Sequence, residues 1–100
     1  MISDFDQRAR VCTMILNEYD RQIELQKAGK FRCTCEGVWL TNAEKAVVLV
    51  EEVGEVCRNV LNLERLAFDN NRDNLEKELI QVAAVAFAWV KGLEERKKIL

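Results

Sequence analysis

Glu51, Glu52 and Glu55 stand inside an otherwise apolar helical run from Val47 to Leu63. At about 100° per residue, Glu52 and Glu55 fall about 60° apart on one side of that helix. Val48 and Asn59 share their sector, while Glu51 points further out toward Arg58 and Asn62. The same spacing predicts a core stripe of Val50, Val53, Val56, Cys57 and Val60, with Glu52 at its margin. Two carboxylates one turn apart at the edge of a core repel each other, and a divalent cation is the usual relief. Glu55 and Val56 occupy the positions three and four residues after Glu52, where a helical ion-pair partner would stand. Gly54 costs a helix interior roughly 1 kcal/mol relative to Ala, which predicts a close approach by another helix. The competing reading is a solvated helix face, the commonest fate of such pairs.

A second cluster follows at Glu78 and Gln81, one turn apart on one face, with Val85 and Trp89 continuing it. From Leu79 to Val90 every residue except Gln81 is apolar. A helix apolar all round is buried on all sides, against sister helices or a second subunit. The run is too short to span a bilayer, which needs about 20 such residues. Gln81 in that setting must be hydrogen-bonded, either as a structural amide or as part of a site.

Glu52-x-x-Glu55 followed by Glu78-x-x-Gln81 resembles the pattern of the MazG-like, all-α nucleoside triphosphate pyrophosphohydrolases. The likeness covers about Asn42 to Val90. The run VLVEEVGEV is similar to the family's first motif, and ELIQVAAVAFAWV to a variant of its second. The resemblance implies that Glu52, Glu55, Glu78 and Gln81 bind Mg²⁺ or Mn²⁺. It also implies that a nucleoside triphosphate is cleaved to a nucleoside monophosphate and pyrophosphate. Gln81 stands where the family carries aspartate, so one anionic ligand is replaced by an uncharged oxygen donor.

Other chemistries are excluded by composition. The chain has no His, so imidazole bases and His-metal ligands are ruled out. Ser3 is its only serine, and the isolated Gly29, Gly37, Gly54 and Gly92 cannot form a glycine-rich phosphate loop. Net charge is −2 with Lys and Arg scattered, so no nucleic-acid face is expected. The charged opening after Met1 resembles no signal peptide, and a cytoplasmic protein without membrane contact is the expectation. Cys12 and Cys57 read as small core hydrophobes, and Cys33 and Cys35 as reduced thiols in a loop.

Positioning the carboxylates falls to helices. With no Pro and four Gly in 100 residues, the chain reads as one all-α domain over residues 1–100. A Ser3-x-x-Asp6 cap opens a first helix, closed near Lys27 by Gly29, with the stripe Phe5, Ala9, Cys12, Leu16, Tyr19 and Ile23. Thr41-x-x-Glu44 is a capping box for a second helix running to about Leu66. Asp73-x-x-Glu76 caps a third, which reaches at least Lys91, with Gly92 expected to end or kink it. The expected architecture is a bundle of three main helices completed by dimerisation across the apolar third helix.

The expected mechanism is metal-dependent hydrolysis at a carboxylate cluster. Glu51, or a carboxylate of Glu52, Glu55 and Glu78 not held by metal, serves as general base. Lys45, Lys77 and Lys91 are candidates for phosphate contact, and Trp39, Phe31 or Trp89 for stacking on the base. The alternative is a non-catalytic helical dimer, or a nucleotide-binding relative whose metal site has degenerated at Gln81.

Overall fold

The structure is a computed structural model and describes residues 2–29, 35–37, 40–66 and 72–99, without the side chains of 63–66, 72–73 and 98–99. Phe31, Cys33, Trp39 and residues 67–71 lie outside these residues. Three helices account for the described architecture: α1 (Asp4–Lys27), α2 (Asn42–Leu66) and α3 (Arg72–Ile99). The all-α bundle expected from the sequence is the fold found.

Helix ends are set by local chemistry. At α1 the Asp6 amide donates to Ser3 Oγ at 3.1 Å, and the helix closes with Gly29 at φ +73°, a left-handed conformation suited to glycine. At α2 the capping box is reciprocal: the Thr41 amide donates to Glu44 Oε1 at 3.0 Å, and the Glu44 amide donates to Thr41 Oγ1 at 3.1 Å.

The helix α3 lies between the other two, packing against both α1 and α2, while α1 and α2 do not pack on each other among the described residues. Trp89 Nε1 donates to Asn42 Oδ1 at 3.1 Å, and Glu52 is electrostatically coupled to Glu78. Positions rising along α2 therefore meet positions falling along α3, so the two helices are antiparallel. On α1, Tyr19 meets Phe87 of α3 edge-on, with ring centroids 5.1 Å apart. Among the described residues Cys35, Ala84, Val85 and Ala88 form the buried apolar core.

Two sequence expectations are corrected here. Gly92 does not end α3, which continues to Ile99. It is buried because the 35–37 segment crosses it: a Cβ there would overlap the Glu36 carbonyl oxygen and lie 3.0 Å from the Glu36 carbonyl carbon. Glu36 is held against the helices by Tyr19 Oη and Lys91 Nζ, both donating to its carboxylate. Burial pushes the Glu36 carboxyl up, but the bonds from Lys91 and Tyr19 outweigh it and hold the group below its ordinary range.

The second correction concerns which faces turn inward. Phe5 (78% exposed), Cys12 and Leu16 of the expected α1 stripe face solvent, as do Val50 (68% exposed), Val53 and Cys57 of the α2 stripe. Every described α2 residue from Lys45 to Asn62 that is at least partly buried lies within about 80° of Glu52 around the helix. Glu52 thus sits at the centre of the inward face rather than at its margin. Among the described helices each outer one packs only on α3, so its opposite face is left uncovered by them. The covered faces mix polar and apolar residues: Val48, Val56 and Val60 flank Glu52 on α2, and Tyr19 and Ile23 flank Glu18 and Gln22 on α1. Likewise Leu79, Phe87 and Val90 of α3 are exposed in the single chain, although an all-round apolar helix was expected to be covered.

Candidate functional site

Helix α2 brings Glu52 and Glu55 to its inner face because they are three residues apart, and both are partly buried. From α3 come Glu78 and Gln81, also partly buried and one turn apart. The antiparallel pairing brings Glu78 within electrostatic reach of Glu52. Burial pushes the Glu52 carboxyl above its ordinary range, and the negative charges of Glu78, Glu55, Glu18 and Glu51 push it further. Like charges from all three helices therefore converge on one half-buried acid. Glu51, the expected outward carboxylate, is exposed.

The contribution of α1 was missed by sequence reasoning. Glu18 is only 9% exposed, and Arg21 grips it through two bonds, Nε to Oε1 at 2.7 Å and Nη2 to Oε2 at 2.8 Å. Gln22, also buried, donates from Nε2 to Oε2 at 3.0 Å. Glu18 holds the Arg21 guanidinium in its charged form despite some burial, and Glu52 adds to that attraction. Arg21 is thus a fixed positive charge coupled to the cluster from α1. The overlooked signal was the i, i+3, i+4 spacing of Glu18, Arg21 and Gln22, which permits a hydrogen-bonded polar face. The neighbouring stripe through Leu16, Tyr19 and Ile23 drew the helix's inner face elsewhere.

Beside Glu18 a groove of about 360 Å³ runs between α1 and α3. Met14 and Ile80 supply apolar wall, and Asn17, Glu18, Arg21, Glu76 and Lys77 supply polar groups. Lys77 therefore lines an open groove that adjoins the carboxylates. The other two lysines are placed differently. Lys45 is only 2% exposed, beneath the 35–37 segment, with Cys35 Sγ 4.0 Å from its carbonyl oxygen. Lys91 is engaged by Glu36 and by Glu95, the latter at 2.5 Å. Neither is presented to the groove. Trp89 spends its N–H on Asn42.

Carboxylate and amide oxygens suit a hard divalent cation, and the crowding on Glu52 is the electrostatic condition such an ion relieves. Among the described residues, however, no three carboxylates or thiols are arranged to hold an ion as they stand. Donor chemistry and charge fit; closure around an ion needs side-chain rotation. Among the described residues no helix is long and apolar enough to cross a membrane. Comparison with family models, curated proteins and solved structures finds no match to this chain.

Proposed function

We propose that this chain is a Mg²⁺- or Mn²⁺-dependent nucleoside triphosphate pyrophosphohydrolase acting as a homodimer. The observation that carries the proposal is the crowding of Glu18, Glu51, Glu55 and Glu78 upon the half-buried Glu52. A chain gains nothing in stability from gathering five acids, so a cationic ligand is the economical explanation. Glu52, Glu55, Glu78 and Gln81 would hold the metal, with Glu18 and Arg21 behind them.

A bound divalent ion neutralises triphosphate oxygens and lowers the pKa of water. The chain's residues do the rest. Arg21 and Lys77 line the groove beside the cluster and supply positive charge to phosphate oxygens. Met14 and Ile80 offer an apolar surface to the nucleoside, and Asn17 an amide that can both donate and accept. An inward carboxylate of the cluster free of metal takes the proton from the water that attacks the α-phosphorus, and pyrophosphate leaves.

A non-catalytic, nucleotide-binding dimer is the second reading, favoured by Gln81 and by the open arrangement of the acids. Pyrophosphate release from a panel of nucleoside triphosphates, with and without Mg²⁺, separates the two. Release that needs Mg²⁺ and falls at least ~100-fold in Glu52→Gln and Glu78→Gln supports hydrolysis. Binding without release from any triphosphate supports the second reading.

A further inference from the structure

On the side of α2 opposite Glu52, Val47, Val50, Gly54, Cys57 and Leu61 recur at alternating intervals of three and four residues. That is the spacing of a seam that packs against another helix. All five are exposed, Val47 and Leu61 each at 57%. Gly54 sits at the middle of the stripe, and a Cβ there would meet nothing within 4 Å. No described residue explains a glycine in this helix interior, where alanine is favoured. A close helix approach from outside does.

The area at stake has the scale of a dimer interface. A compact chain of 11.6 kDa should expose about 5,800 Å². This one exposes 7658 Å². The surplus, about 1,800 Å², exceeds what one partner contributes to a standard interface and matches an obligate homodimer. The radius of gyration, 15.5 Å, likewise exceeds the roughly 13 Å of a compact 100-residue domain.

We infer that this stripe docks a second copy of the same helix, antiparallel, about a two-fold axis near Gly54. The inference rests on the proposed self-association and assigns it to α2 rather than to the apolar face of α3. Symmetry of the stripe supports it: Val47 and Leu61 lie equally far from Gly54, and Val50 and Cys57 nearly so. Charge selects the direction. Glu51 and Arg58 occupy the same flank, one heptad apart, and an antiparallel pair sets each Glu51 beside Arg58 of the second copy, twice over. A parallel pair would instead set that flank against Ala46, Val53 and Val60. Within one chain Arg58 reaches Glu55 only at 3.4 Å, an exposed contact that is easily redirected. The two carboxylate clusters then lie on opposite outer sides of the paired helices, each open to its own groove.

Sedimentation equilibrium of the full chain tests this, with circular dichroism confirming that each variant is folded. The wild type is a dimer at micromolar concentration. Val50→Asp, at an exposed position, weakens the dimer at least ~100-fold by placing two like charges on the seam. Glu51→Arg weakens it roughly tenfold, and adding Arg58→Glu restores wild-type association. A monomeric wild type overturns both this inference and the self-association it rests on. A dimer indifferent to Val50→Asp, or a charge swap no better than the single reversal, overturns the α2 seam alone. Pyrophosphate release by the wild type is read separately and tests the proposed hydrolysis rather than the seam.

Discussion

Replacing Gly92 by Ala should destabilise the protein, although the same change in an unobstructed helix would stabilise it. Intrinsic propensity favours Ala by about 1 kcal/mol. Opposing it, the new methyl would overlap the Glu36 carbonyl oxygen and lie 3.0 Å and 3.2 Å from the carbonyl carbon and Cα of Glu36, all inside ordinary contact distance. These are backbone atoms, so the 35–37 segment must retreat as a unit. Its retreat loosens the bonds from Tyr19 and Lys91 to the Glu36 carboxylate. Overpacking of this kind costs about 1–3 kcal/mol, and the loosened bonds add to that loss. The net expectation is a loss of about 1–3 kcal/mol, or a Tm lower by roughly 5–15 °C. Urea denaturation followed by circular dichroism at fixed protein concentration measures it. A double-mutant cycle with Tyr19→Phe adds the cause: the Tyr19 substitution should cost less once Gly92 is Ala, because its bond is already weakened. A Gly92→Ala protein as stable as the wild type, or about 1 kcal/mol more so, would refute the close approach of Glu36 to α3.

Two further predictions concern the carboxylate cluster. Since the Glu52 carboxyl titrates above its unfolded value of 4.5, the folded chain binds more protons than the unfolded one just above that pH. Without metal, stability from this group is fully present below pH 4.5 and is lost as pH rises through the folded pKa. Glu52→Gln should therefore be more stable than wild type at pH 7 without metal and should flatten that part of the profile. Saturation with Mg²⁺ at 100 times its Kd should add about 2.7 kcal/mol to the wild type and nothing to the variant; equal responses would remove Glu52 from the ligand set. Gln81→Asp places a carboxylate at a partly buried position, which costs several kcal/mol when uncompensated. If Gln81 borders the metal, the variant's Tm should recover in Mg²⁺ and its Mg²⁺ affinity should tighten by calorimetry, whereas equal unfolding with and without Mg²⁺ would make the amide a purely structural group.

The three helices and most of their ends are local properties, and local sequence determined them. Ser3 caps through an amide three residues away, Thr41 and Glu44 cap each other, and Gly29 supplies a left-handed residue. The pairing of Glu52 with Glu55, and of Glu78 with Gln81, is likewise fixed by helical period alone. What period cannot fix is the rotation of a helix against its neighbours. Apolar stripes on α1 and α2 pointed to the core, yet in the single chain the faces turned to α3 carry Glu18, Gln22, Lys45 and Glu52. An amphipathic pattern records that a face will be covered but not by which molecule, so a stripe meant for another chain reads the same as one meant for the core. The continuation of α3 through Gly92 was hidden for a related reason: the backbone that needs the missing Cβ belongs to Glu36, far away in sequence. Glu18 and Arg21 joined the cluster because α1 crosses α3 near Glu76 and Ile80, a meeting that exists only in three dimensions.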